Sequence, residues 1–423
     1  DADYSYTELG DYSQVPYQLN ETFPGLKNTI QQNFLYSHFQ FNSKNNTKLS
    51  ITYFDVENSR QLSTQVYTSP IDIQDMFDGL EVFSSSINFG QSLISHSQKK
   101  TTIEYLNDKH SLNTNNFSYS YTLGNLGAKF SAVNVNNESS KTIDTSKTYY
   151  TTSLFYTNTL QKLDLTTSIK IESEANNDLA LGYDIILKFN LTDIINSSFT
   201  FSKNYKKPNF NDLFWEPFGD PNLKTEFSSN YYIKNRIISN MGQLNLDAHF
   251  IKFDNLIGWR PMVGTSAYWM PENISSANSY GTDISFRTIP IQNTTITASY
   301  SISITENYNS SLSYHHSGKP LLYTPINSAS LAIQKLFKQS TIDISTKFVG
   351  ERIYRYSWPH DNILPPYFST NVSYKYQISA INKFETYIHL NSENIFDTQY
   401  QSVYGFPVPG RSYTLTITIK ERK

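Results

Sequence analysis

The 423-residue chain contains no cysteine, so it holds neither a thiolate metal site nor a disulfide framework, and it suits passage through an oxidising compartment. No run approaches the roughly 18 apolar residues of a membrane helix. A chain of this kind enters a bilayer only as strands closed into a barrel, because hydrocarbon leaves no water for unpaired backbone groups. Charge is scarce at 17%, and the net charge of −3 gives no electrostatic footprint for nucleic acid. No serine nucleophile elbow, phosphate loop or zinc spacing is present, so neither an enzyme nor a cofactor is expected. His315 and His316 are adjacent and point opposite ways on an extended chain, which argues against a metal site there. His360-Asp361, beside Trp358-Pro359, reads as loop chemistry.

What is abundant is aromatic. Tyrosine (32) and phenylalanine (27) bring aromatics to 15%, combined with a negative mean hydropathy. That pairing suits a wall with apolar residues toward lipid and polar ones toward a wet interior. Alternation locates the wall. In 295–304, Ile296, Ala298, Tyr300, Ile302 and Ile304 fall on one side, and Thr295, Thr297, Ser299, Ser301 and Ser303 on the other. The same period of two recurs in 116–123, 341–348 and 412–419, so these are strands with one apolar and one polar face. No amphipathic helix is at hand to cover so many apolar faces. The fold class is therefore all-β, a transmembrane antiparallel barrel.

Connections alternate in length. Segments 206–226, 258–279, 306–325, 355–366 and 391–410 are long, and 192–195, 238–241, 289–292, 337–339 and 379–381 are short. Further back come a tight turn at 160–161, a loop at 135–148, a tight turn at 124–127, a long segment at 57–79 and a short turn at 42–46. Bacterial barrels have short periplasmic turns and longer external loops, which places the C-terminus in the periplasm. About 19 strands follow Ile30. The barrel is assigned to 30–423, and parity asks for at least one more strand before it; residues 1–29 have room for one at most.

Four motifs stand at the long connections. Pro208-Asn209-Phe210-Asn211-Asp212-Leu213-Phe214 precedes Asp220-Pro221-Asn222-Leu223-Lys224-Thr225-Glu226. Asn273 to Asp283 contains Asn278 and Gly281; Gly318-Lys319-Pro320-Leu321 leads to Tyr323-Thr324-Pro325. Asn394-Ile395-Phe396-Asp397-Thr398-Gln399-Tyr400 leads to Gly405-Phe406-Pro407-Val408-Pro409-Gly410-Arg411. In this order they resemble the barrel of TonB-dependent receptors, in the style of the cobalamin and small-siderophore members. Departures include Asp220, Thr225 and Asp283, and Lys420-Glu421-Arg422-Lys423 in place of a terminal aromatic. The clear match covers the last half, extends to Tyr149 and leaves the first third matched in pattern.

Pro, Gly, Asn and Asp in these motifs are read first as turn and cap residues. The resemblance implies a 22-strand family barrel, of which 19 or 20 strands are visible. It also implies an N-terminal plug with a TonB-contacting box, for which residues 1–29 are too short. The chain is thus expected to be the C-terminal portion of a longer receptor of the Gram-negative outer membrane. Expected partners are outer-membrane lipids, the barrel assembly machinery (through 412–419) and, where an upstream plug exists, the TonB system. Import of a metal chelate, cobalamin or oligosaccharide is one expected function; scaffolding beside other outer-membrane subunits is the other. Candidate ligand contacts are the loop aromatics Trp259, Tyr268, Trp269, Tyr356 and Trp358.

Overall fold

Runs of Thr, Ser, Tyr, Phe and Ile in alternation favour pleated backbone, since β-branched and aromatic side chains pack well on a half-covered sheet. In the computed structural model nearly every described segment is accordingly a strand. The described residues are 2–9, 30–43, 47–62, 74–105, 108–174, 179–261, 269–308, 318–357, 359–381, 384–408 and 410–421.

The first strands are β1 (Ala2–Leu9), β2 (Ile30–Asn42), β3 (Thr47–Leu62), β4 (Gln74–Phe89), β5 (Ser92–Tyr105) and β6 (Asp108–Leu123). There follow β7 (Leu126–Ser139), β8 (Thr145–Leu160), β9 (Leu163–Glu174), β10 (Leu179–Asn190) and β11 (Ile195–Lys206). After helix α1 (Phe210–Phe214) come β12 (Glu226–Ser239), β13 (Gly242–Pro261), β14 (Trp269–Thr288) and β15 (Thr294–Asn307). The last part holds β16 (Lys319–Pro320), β17 (Asn327–Leu336), β18 (Ser340–Val349), the hairpin β19 (Arg352–Arg355) with β20 (Asn362–Leu364), and β21 (Tyr367–Ile381). It closes with β22 (Phe384–Glu393), the hairpin β23 (Gln401–Val403) with β24 (Phe406–Pro407), and β25 (Ser412–Glu421).

One antiparallel sheet of 21 strands contains all of these except the two hairpins, each long strand pairing with its neighbours in sequence. Without β1 and the two-residue β16, nineteen of its strands start at or after Ile30, as alternation suggested. Strand β1 pairs antiparallel with β2, from Ala2 against Ser37 to Leu9 against Ile30. Among the described residues no ladder joins β1 to β25. The long strands make a transmembrane antiparallel barrel wall.

Connection lengths alternate for most of the chain, giving a short-turn rim and a long-loop rim. The tight turns are built for reversal: Gly124 has φ 56° and Gly90 φ 58°, the left-handed region where a Cβ is costly. Three connections are shorter than the sequence suggested. Pairing of β13 with β14 persists to Pro261 against Trp269, so the loop assigned to 258–279 shrinks to 262–268. The ladders of β3 with β4 and β7 with β8 likewise shorten 57–79 to 63–73 and 135–148 to 140–144. Ladder hydrogen bonds continue wherever both strands stay extended, whatever the side-chain pattern. The turn at Gly90-Gln91 escaped the sequence reading, and β5 meets β6 at the long-loop rim through residues 106–107 alone.

The two faces differ as the alternation requires. Leu415, Ile417 and Ile419 of β25 expose 61%, 60% and 65% of their surface, all to the outside. An aromatic row crosses the outer face on adjacent strands: Tyr183 to Phe201 at 5.7 Å, Phe201 to Tyr231 at 5.0 Å and Tyr231 to Phe250 at 6.2 Å between centroids. Each such pair contributes about 0.5–1.5 kcal/mol beyond its burial. The inner face is joined by short polar contacts, Ser95 to Ser118 at 2.7 Å and Asn230 to Ser202 at 3.1 Å. Buried apolar side chains gather at the long-loop rim instead of in a central core: Phe210, Leu213, Ile257, Ile274, Ala277, Val349 and Leu364.

Candidate functional site at the long-loop rim

The connection between β11 and β12 carries the first motif. Asn209 caps α1: its side chain accepts the Asp212 N–H at 2.9 Å, and Asp212 accepts the Asn209 N–H at 3.0 Å. Asp212 is buried, and its other oxygen accepts the indole N–H of Trp259 at 2.9 Å. Leu213 is buried beside it. Asp220 turns the chain by accepting the Asn222 N–H at 2.9 Å, and Pro221 and Asn222 are exposed on that turn. Leu223 donates its N–H to Asp220, and the Lys224 N–H is donated to Asn273 of β14 at 2.7 Å. Glu226, buried, accepts the Ile257 N–H at 3.0 Å. Pro208 is half-buried at the entry to this module. Gly281 lies where a Cβ would strike the Ile302 carbonyl and the His249 ring, so β14 admits no side chain there.

The same connection reaches sideways across the mouth. Lys207 pairs with Glu174 of β9 at 3.9 Å, and Glu174 also holds Lys147 of β8 at 3.0 Å. The Glu216 N–H is donated to the Lys141 carbonyl at 2.8 Å, and the Trp215 ring stacks on His110 of β6 at 5.3 Å. His110 and Glu174 alternate with outward apolar residues and face inward. From β11 to β6 is five strand spacings, about 24 Å. The connection is therefore a brace over the inner side of β6–β11, anchored at its far end on β13 and β14.

On the opposite side, the closing motif forms a clip. Asn394, left-handed at φ 46°, exchanges two hydrogen bonds of 3.0 Å with the Thr398 backbone, and its own N–H is donated to Asn371. Asp397, at φ 54°, accepts the Arg411 N–H at 2.8 Å, and Gly410 passes so close that a Cβ would meet that carboxylate. Phe396 is exposed. Tyr400 stacks on Tyr367 at 3.8 Å, and Tyr354 on Tyr404 at 4.2 Å. Tyr323 lies 6.0 Å from Trp269 and donates its N–H to Ile353. Burial, followed by the neighbouring Tyr367, pushes the Tyr400 phenol above its ordinary value; burial does the same to Tyr323, against a lowering hydrogen bond from the Tyr404 backbone.

Of the five aromatics picked from sequence, the structure places Trp259 and Trp269 on paired ends of β13 and β14, not in a loop, and Trp259 is engaged by Asp212. The Tyr356 hydroxyl is donated to the Pro320 carbonyl at 2.6 Å, with Lys319 beside the ring and bound to Asp361 at 2.7 Å. Tyr268 and Trp358 lie outside the described residues, as do His315 and His316. Tyr354, Tyr367 and Tyr404 escaped the sequence reading, because tyrosine is too common here for any one to stand out; Arg352 escaped it too, and Tyr323 entered only as a motif residue. Arg352, 5% exposed, lies 5.0 Å over the Tyr367 ring and donates to the Pro365 carbonyl at 3.0 Å. Among the described residues no group of histidines and carboxylates could hold a metal ion.

Comparison with known proteins fits this architecture. The chain is 24% identical to a vitamin B12 transporter, BtuB, of Photobacterium profundum over 262 residues, 56% of the chain and 37% of that protein. An 80-residue stretch is 35% identical to BtuB of Vibrio vulnificus, 13% of its length. The matched stretches thus span well under half of these curated relatives. Among solved structures, the FrpB iron transporter of Neisseria meningitidis (F5-1 variant) superposes with a TM-score of 0.76 at 8% identity, covering 98% of this chain and 77% of that one. A ferric enterobactin receptor, PfeA, of Pseudomonas aeruginosa gives 0.71 at 12% identity, covering 96% and 72%. At such identity these likenesses speak for the fold alone. The model for the TonB-dependent receptor-like β-barrel matches residues 1–394, including the first third that the sequence motifs left out, and the chain belongs to that family of outer-membrane receptor barrels.

Proposed function

We propose that this barrel takes up a scarce ligand, a metal chelate, cobalamin or oligosaccharide, at its long-loop rim, with energy from the TonB system. The observation that supports the reading most is the asymmetry of the mouth. One side is closed by the 207–225 brace, and the other presents inward tyrosines and Trp269 between long connections. Aromatic faces give large contact area at low entropic cost, which suits capture of a bulky solute. In this reading the long-loop rim faces outward, the C-terminus is periplasmic, and β25 is the segment that the assembly machinery engages. The sequence relatives named above, two vitamin B12 transporters, favour cobalamin over a saccharide.

Whole-cell uptake tests it. Cells carrying Trp269→Ala with Trp358→Ala should take up less ligand while the barrel still shows heat-modifiable mobility, and uptake should vanish without TonB. Undiminished uptake rejects the binding role, and loss of folding assigns these residues to the membrane-interface girdle. Orientation is read with protease: residues 355–366 should be reachable on intact cells and 289–292 only after membrane disruption. A barrel that binds and imports nothing, yet co-purifies with other outer-membrane subunits, is a scaffold.

A further inference from the structure

We propose that the inner face of β2–β4 carries an apolar contact patch for the solute taken up at this mouth, a small molecule with a bulky apolar face. The proposal deepens the uptake reading above and rests on it for its place in biology. Ser118 of β6 faces inward, and one-to-one pairing carries that face through Ser95 and Ser86 to Ser50 of β3 and Gln40 of β2. In the half toward the short turns the wall has the membrane pattern: Leu49, Ile51 and Tyr53 of β3 face out, and Ser50 and Thr52 face in. In the half toward the long loops the two faces exchange character with no break in register. There Asp55, Glu57 and Glu81 face out, while Phe34, Tyr36, Phe54, Val56, Leu80 and Val82 face in, adjacent on three strands. Strand β7 makes the same exchange, from Phe130 outward to Val133 and Val135 inward.

A row of carboxylates does not face hydrocarbon, so the lipid ends at the outward pair Tyr53–Phe83, and the six inward side chains stand beyond it. A wall with water on both sides favours polar residues on both faces, so neither lipid nor solvent accounts for the apolar ones. They are half-buried, and among the described residues β2–β4 pack chiefly against their neighbours in the sheet. Satisfied polar pairs frame the patch, His38 with Thr52 at 2.9 Å on one side and Asn58 with Asp78 at 2.8 Å on the other. None of the six residues inside the frame is charged. Size decides what fits. Three strands by two rows of side chains cover about 14 by 14 Å, or about 200 Å². Stable protein interfaces take about 800 Å² from each partner, so the patch is too small for a second copy or another subunit and matches one face of a small molecule.

The test uses the purified full chain in phosphatidylglycerol nanodiscs, titrated with 1-anilinonaphthalene-8-sulfonate, a small aromatic dye that brightens in apolar surroundings. Empty discs supply the background, and wild type should show saturable binding above it. Val56→Ser with Leu80→Ser should weaken that binding about tenfold, a loss set by the apolar area removed. Glu57→Ser with Glu81→Ser, changed at the same level on the outer face, should leave it unaltered. Equal binding by wild type and the inner-face double variant overturns the proposal, as does no saturable binding or an equal loss in the outer-face variant. If the inner-face variant loses heat-modifiable folding, thiol labelling decides, since the chain has no cysteine of its own. The dye should slow maleimide labelling of Val56→Cys and not of Glu57→Cys, and a rate at Val56→Cys that ignores the dye overturns the assignment. A dimer in detergent that the inner-face variant dissociates gives the face to a second copy and likewise overturns it. Dye binding needs no energy source. A chain that binds through residues 56 and 80 yet supports no uptake therefore loses the transport reading and keeps the patch.

Discussion

The two sides of the mouth are built by opposite means. On the brace side, residues 207–225 satisfy almost every polar group locally: a capping box, an Asp220 turn, a carboxylate between two lysines and an indole donated to a buried aspartate. On the side of β15–β25, tyrosines stack in pairs and a guanidinium is left with an unmatched Nε. Complete internal satisfaction makes a support, because nothing is left over to recognise a second molecule. The aromatic frame on the other side is where the proposed uptake reading puts ligand contact.

Predictions can break this contrast, beginning with the largest effect. Asp212→Ala removes the capping acceptor and strands the Trp259 indole, and should loosen the brace by about 2–4 kcal/mol. Limited proteolysis within 207–225 should then proceed while heat-modifiable folding survives, and resistance equal to wild type contradicts the brace. Glu174→Gln leaves Lys147 and Lys207 without their shared carboxylate and should weaken the brace's tie to β8 and β9 by about 1–3 kcal/mol, read by the same proteolysis. Tyr404→Ala removes the stack on Tyr354 and should cost about 0.5–1.5 kcal/mol without exposing the brace. Coupled proteolysis of both sides would show that the mouth is one unit.

The smallest effect is titration. Tyr400 and Tyr323 have pKa values raised in the fold, so they bind protons more tightly folded than unfolded. Their contribution is fully present below the ordinary tyrosine value near 10 and is lost as pH rises through the raised values. Spectrophotometric titration should show a late-titrating phenol fraction that shrinks in Tyr400→Phe, and the 394–411 clip should become protease-sensitive only at strongly alkaline pH.

How much was legible in advance follows from the physics of strands. Alternation in 295–304 and 412–419 is local, so wall, strand number and the sides of Ile302 or Ile417 could be read directly. Motif residues such as Asn209, Asp220 and Asn394 act on backbone two to four positions away, and their turn roles were also legible. Strand ends were not, because the ladder from 258 to 261 runs on without alternation to announce it. The aromatic side was hidden for a different reason. Tyr354 meets Tyr404 only after two separate connections fold together, and Arg352 meets Tyr367 only once the β19–β20 hairpin closes, which no alternation records. Trp259 and Trp269 were singled out as ligand contacts because they are aromatics assigned to a long loop, yet that assignment does not say whether an indole faces solute or a buried carboxylate.

The stacking of Trp215 on His110 joins residues about a hundred positions apart, with the five strands β7–β11 between them in the chain. Such a contact is late in any assembly order, since loop closure over that distance is rewarded only once β7–β11 are laid down between its ends. It cannot form in a wall missing a strand or slipped in register by one pair. The brace thus doubles as a proofreading contact. A chain that has paired these six strands correctly gains a cross-tie, and one that has not goes without it.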